Sequence, residues 1–110
     1  ILETDVNVKI ILLNNNYLGM VRQWQELFFD ERYSETHLKN PDFIKVADAY
    51  NIKGRKVTER AELDNAIEEM LSHDGSFLLE VVVETKGMVY PMVPAGGSVT
   101  DVLVAKGEKV

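Results

Sequence analysis

Apolar positions along this chain come in two kinds, unbroken runs and spaced stripes. Val8 to Leu13 reads Val-Lys-Ile-Ile-Leu-Leu, nearly continuous and β-branched, as expected of a strand buried on both faces of a parallel sheet. Phe77 to Val83, Phe-Leu-Leu-Glu-Val-Val-Val, repeats that pattern. Between the two runs the spacing becomes helical. From Leu18 onward, Met20, Val21, Trp24, Leu27 and Phe28 recur on one face and predict a helix of about three turns. Phe43, Val46, Ala47 and Tyr50 form a second stripe that ends near Asn51. Asn40 is the expected N-cap of that helix and Pro41 its first residue. Leu63, Ala66, Ile67, Met70 and Leu71 make the clearest amphipathic pattern, stopped by His73-Asp74-Gly75. Gly54 to Thr58 fits a short strand, Asp30 to Lys39 a polar loop, and the Gly- and Pro-rich residues from Thr85 show no period.

The order is strand, helix, helix, short strand, helix, strand, tail. Such alternation predicts an α/β fold, a parallel sheet with right-handed crossovers and helices on its faces. The 110 residues suit one domain. A net charge of −6 argues against nucleic acid, whose phosphates need a basic face. With no cysteine, disulfides, thiolate metal sites and cysteine nucleophiles are excluded. No apolar run approaches the roughly 20 residues that span a bilayer. No signal peptide is visible, so the cytoplasm is the expected compartment. The opening Ile1-Leu2-Glu3-Thr4 lacks an initiator methionine and resembles the tail of a helix, which predicts a piece of a longer protein.

Chemistry concentrates where the first strand stops, at Asn14, Asn15 and Asn16, followed by Gly19 and a helix. In an open α/β sheet this is the carboxyl edge, where ligands sit. A helix starting near Leu18 aims backbone N–H groups and a positive dipole end at that edge. Gly19 permits close backbone approach. A carboxamide oxygen is a hard, neutral ligand suited to Mg²⁺ or Ca²⁺, and neutrality makes sense where bound phosphates supply the negative charge. Asparagines after a strand also close turns by bonding their own backbone. Chemistry alone leaves both readings open.

The residues carry more than their chemistry. "LNNNYLGMVRQWQELFF" resembles the Asn-Asn end of the thiamin-diphosphate motif, a Gly-Asp-Gly followed about two dozen residues later by Asn-Asn. Together with "YSETHLKNPDFIKVADAY", "SFLLEVVVE" and "VYPMVPAGGSVTDVL", it is similar to the catalytic large subunits of acetolactate synthase over essentially the whole chain. The resemblance implies part of a parallel-sheet, three-layer thiamin-diphosphate-binding fold, truncated at its N-terminal side. It assigns 1–84 to the C-terminal portion of the cofactor domain and 85–110 to a tail covering the active site, with Pro91 to Gly97 folding over it. It implies Asn15 and the Tyr17 backbone carbonyl as Mg²⁺ ligands, and Asn14 as a shaping residue. Leu18, Gly19 and Met20 match positions along the diphosphate and thiazolium. Met20 and Trp24 match the substrate channel.

The implied reaction condenses pyruvate, after decarboxylation, with a second 2-keto acid, pyruvate or 2-ketobutyrate, in branched-chain amino-acid synthesis. The cofactors are thiamin diphosphate and Mg²⁺, with FAD held elsewhere in the parent enzyme. The partners are 2-keto acids, copies of the catalytic subunit in a dimer or tetramer, and a regulatory subunit, with no nucleic acid or membrane. The Gly-Asp-Gly aspartate and the glutamate that activates the aminopyrimidine are both absent from this stretch. The chain by itself is therefore expected to be inactive, with no catalytic residue of its own. Rivals are a pyruvate oxidase or glyoxylate carboligase type of thiamin-diphosphate enzyme, and a non-catalytic α/β binding module. His37 and His73 read as a loop residue and a helix-stop residue. The pairs Asp30-Glu31 and Glu68-Glu69 read as solvated faces.

Overall fold

A computed structural model describes residues 1–109. The chain forms two compact units: Ile1–Asn16 with Lys39–Glu84, and Tyr17–Leu38 with the residues from Thr85.

The first unit is a three-stranded parallel sheet with helices. Strands β1 (Lys9–Asn14), β2 (Lys53–Val57) and β3 (Phe77–Val82) are ordered β1-β3-β2. Lys9 and Lys53 both pair with Phe77, while Leu12 and Lys56 both pair with Glu80. The central place goes to the strand with the most continuous apolar run, since only a middle strand is enclosed at both edges. One face carries Phe77, Leu79 and Val57, packed against Ala66 and Met70 of helix α3 (Leu63–Ser72) in one buried cluster. Helix α2 (Phe43–Ala49) covers the other face, where Ile44 lies over Gly54. A β-carbon at Gly54 would stand 3.2 Å from Ile44 Cδ1, so the missing side chain lets helix and strand approach. A 3₁₀ turn (Arg60–Glu62) leads into α3.

The strands and three helices fall where the periodicity places them, with two corrections in detail, while His73 ends α3 as expected. Strand β1 is not buried on both faces. Ile11 and Leu13 are 53% and 67% exposed, because they share the α3 face but α3 packs on β3 and β2. The N-cap of α2 is Asp42, not Asn40: its carboxylate accepts from the backbone N–H groups of Ile44 and Lys45. A carboxylate two residues nearer the apolar stripe caps the free N–H groups better than the amide, which is used elsewhere. His73 stops α3 by backbone geometry, its N–H reaching Glu69 O, and its ring packs edge-on against Phe77 at 5.6 Å.

The second unit contains helix α1 (Gly19–Phe28), the loop after it and the tail. The tail is not without regular structure: β4 (Leu103–Ala105) pairs antiparallel with β5 (Glu108–Lys109), and Met92 bridges Leu103. Strands this short show no period for a sequence to reveal. Among the described residues no helix is long and apolar enough to cross a membrane.

Candidate functional site

The carboxyl end of β1 holds a closed ring of amides within the first unit. Asn14 is buried, 6% exposed, and its side chain is fully engaged. Its Nδ2 donates to Glu80 Oε1 at 2.7 Å. Its Oδ1 accepts from the Asn16 backbone N–H at 3.0 Å and from Asn40 Nδ2 at 2.8 Å. Asn40 Nδ2 also reaches Asn16 Oδ1 at 3.2 Å. Asn16 adopts the left-handed conformation (φ 56°) that asparagine tolerates better than most residues. Asn15 lies half-buried between these two anchored neighbours.

The turn-closing reading of the asparagines therefore holds for two of the three. Asn14 and Asn16 close the turn by Asx-type bonds. The Asn14 oxygen, already accepting two hydrogen bonds, has no capacity left for a metal.

The second unit presents the positions that follow. Tyr17 forms an isolated bridge with His37, and their rings meet edge to face at 5.1 Å. The Leu18 N–H donates to Thr36 O at 2.8 Å, so this donor is not aimed at a ligand as a free helix start would aim it. Helix α1 begins at Gly19 without a side-chain cap. Met20 and Trp24, 47% and 48% exposed, sit one turn apart on one face. Trp24, Phe28 and Phe29 line an apolar hollow of about 490 Å³ whose other wall is Met92 to Ala95 of the tail. The tail is held there by Gln23, 1% exposed, which accepts from the Val89 N–H at 2.7 Å and donates to Val89 O at 3.0 Å. Arg22 is buried beside it. Its guanidinium donates to Glu26 and to Lys86 O, and lies 6.0 and 5.8 Å from the Tyr17 and Tyr33 ring centres. Burial works against ionisation of Glu26, but the Tyr33 hydroxyl, Arg22 and Lys106 outweigh it and hold the carboxyl below its ordinary value.

Glu80 and Gln23 were not singled out by the sequence pattern, and Asn40 was singled out only as a helix cap. Glu80 had a visible signal, one carboxylate inside an apolar strand. Asn40 and Gln23 had none, because a polar residue in a loop or on a helix shows nothing of the partner it will meet.

Among the described residues no group of three or more His, Asp or Glu side chains could hold a metal. The donors at the turn are a carboxamide and backbone carbonyls, hard and neutral. They fit Mg²⁺ held jointly with an anionic ligand, and they do not fit a self-sufficient metal centre.

Comparison with known proteins bears on what that ligand is. Residues 1–81 match the family described as thiamine pyrophosphate enzyme, C-terminal TPP binding domain. The chain belongs to this family. Among its relatives, the mitochondrial acetolactate synthase catalytic subunit of Saccharomyces cerevisiae is 54% identical over 94 residues, covering 86% of this chain and 14% of that protein. The acetolactate synthase isozyme 2 large subunit of Escherichia coli is 48% identical over 97 residues, covering 87% and 18%. A thiamine diphosphate-dependent 4-hydroxybenzoylformate decarboxylase of Rhodococcus jostii superposes with a TM-score of 0.67 over 77% of this chain and 16% of its own, at 23% identity. That likeness supports the α/β fold of the family. The chain thus spans 14% to 18% of the length of the curated relatives named. The expected cytoplasmic placement is overturned. The yeast relative is mitochondrial, and the absence of a signal peptide from a stretch of this length assigns no compartment.

Proposed function

We propose that the protein carrying this sequence is an acetolactate synthase catalytic subunit, condensing pyruvate, after its decarboxylation, with a second 2-keto acid. One contrast carries the reading. Identity to acetolactate synthases runs from 37% to 54% over most of the chain, whereas a solved thiamin-diphosphate decarboxylase of the same fold shares 23%. The family match supports the cofactor class, and the side-chain identity supports the reaction.

The Asn15 side-chain oxygen and the Tyr17 carbonyl, two residues apart along the chain, serve as Mg²⁺ ligands. The closed ring of Asn14, Asn16 and Asn40 supports this, because it fixes the turn that carries Asn15. Leu18, Gly19 and Met20 border the diphosphate and the reacting end of the cofactor. Met20 and Trp24 form the apolar side of the substrate channel, and Met92 to Ala95 cover it, a role favoured by the Gln23 clamp that anchors the tail. When bound, thiamin diphosphate supplies the electron sink for decarboxylation. The residues of this chain bind, orient and exclude water.

None of the residues assigned here is a general acid or base, and the neutral donors make only part of a metal shell. The chain in isolation is inactive on this reading. The assembled catalytic subunit supplies the remaining metal ligand, the activating carboxylate and the FAD site, and is a dimer or tetramer served by a regulatory subunit. The natural full-length protein, assayed with pyruvate, Mg²⁺ and thiamin diphosphate, is expected to form acetolactate. Consumption of pyruvate without acetolactate contradicts the assignment.

A further inference from the structure

Glu80 is the only buried carboxylate among the described residues, 1% exposed in the central strand. Stability gives no reason for it. A carboxylate taken out of water is costly, and an apolar residue of similar volume is often as good or better in such a place. Its neighbours in β3 are Leu79 and Val81, so apolar packing was at hand. Its charge is only loosely met: Lys56 Nζ stands 3.4 Å from Oε1, and Oε2 has no hydrogen-bond partner.

What Glu80 does have is Asn14 Nδ2 at 2.7 Å. An asparagine amide presents a donor on one side and an acceptor on the other, and nothing in its shape distinguishes the two orientations. Here the orientation matters. Oδ1 must face the Asn16 N–H and Asn40 Nδ2, both donors. A turned-over amide would set NH₂ against two donors and open the ring. Turning the amide over would also set its oxygen against the Glu80 oxygen that now accepts from Nδ2 at 2.7 Å, so Glu80 favours Asn14 in one orientation.

We propose that Glu80 is a positioning residue for the metal-binding turn: it orients the Asn14 amide, which then holds the Asn14–Asn16 turn that carries Asn15. This rests on the reading of Asn15 as a Mg²⁺ ligand. The effect belongs to the class of outer hydrogen bonds that orient a ligand, whose loss lowers metal affinity by about 10- to 100-fold.

The test uses the natural full-length protein and two readouts. One is Mg²⁺ affinity by calorimetry at saturating thiamin diphosphate. The other is backbone hydrogen exchange of the peptide from Leu12 to Leu18, which reports the Asn16 N–H directly. Glu80→Leu is expected to weaken Mg²⁺ about tenfold or more and to speed exchange in that peptide. Glu80→Gln, whose oxygen still accepts from Asn14, is expected to keep most of both. Asn14→Asp sets carboxylate against carboxylate and speeds exchange. Adding Glu80→Gln restores slow exchange, because the glutamine amide then donates to the aspartate. Unchanged exchange in Glu80→Leu, or no restoration in the pair, overturns the proposal. If Glu80→Leu speeds exchange yet Asn15→Ala leaves Mg²⁺ affinity intact, the orienting bond stands and the ligand assignment for Asn15 fails, taking with it the metal role of the turn.

Discussion

The two units are built on opposite principles. The first closes over an apolar cluster, Phe77, Leu79, Val57, Ala66 and Met70, and its polar ring at Asn14 sits on the end of a sheet already held by that core. In the second, the buried residues of α1 are polar, Arg22 and Gln23. Gln23 and one nitrogen of the Arg22 guanidinium bond backbone groups of the tail, while the large apolar residues Met20, Trp24, Phe28 and Phe29 stay about half exposed. A helix that buries its amides and exposes its aromatics leaves an apolar surface for something other than the protein's own core. The first unit fixes a polar turn on the end of a sheet, and the second exposes an apolar surface.

Substitutions can break this contrast, and the largest effect belongs to the core. Phe77→Ala is expected to destabilise the protein by about 3–5 kcal/mol, read from denaturant unfolding. A change well under that range would mean that the cluster does not hold the first unit. Gln23→Ala removes both bonds to Val89 and leaves its N–H and C=O unpaired. A loss of about 2 kcal/mol is expected, together with faster hydrogen exchange around Val89 and little change in β3. Equal acceleration in both places would dissolve the distinction between the units. Asp42→Ala deletes the N-cap of α2 and should cost about 1 kcal/mol, whereas Asn40→Ala should leave the start of that helix alone and loosen the asparagine ring instead.

The smallest effect concerns pH. Hydrogen bonds from Lys53 and then Arg55, with their charges, hold the Glu69 carboxyl below its ordinary value. Folding therefore favours the ionised form, so these pairs stabilise the protein above the ordinary glutamate range of about 4.3. That contribution fades as pH falls through the lowered value. Melting temperature followed from neutral to acid pH should fall less steeply in Glu69→Gln than in the parent. Parallel curves would show that the pairs are idle.

The same contrast explains what the sequence could show. Elements of the first unit are driven by burial, and burial leaves a period: the runs at Val8–Leu13 and Phe77–Val83 and the stripe at Leu63–Leu71 became β1, β3 and α3. The misplaced cap at Asn40 and the exposed Ile11 and Leu13 came from events that periodicity does not encode, namely which amide is claimed by a distant partner and which strand a helix covers. The second unit hangs on side-chain-to-backbone bonds across 66 residues, as at Gln23 and Val89, and no local pattern announces them. At the site, the family resemblance pointed to Asn15, while the division of labour between Asn14 and Asn16 needed coordinates. Glu80 stood in plain view as a charged residue in an apolar run, and only its contact with Asn14 gave it a role.

The central claim is that the three asparagines do different work, Asn14 and Asn16 closing the turn and Asn15 proposed as the metal ligand. It is tested most directly by Mg²⁺ titration of the full-length protein at saturating thiamin diphosphate, comparing Asn15→Ala with Asn16→Ala. Asn15→Ala, which removes a ligand, is expected to weaken Mg²⁺ by more than about 100-fold, and Asn16→Ala, whose backbone N–H can still bond Asn14, by no more than about tenfold. Equal losses, or the larger loss at Asn16, would contradict it.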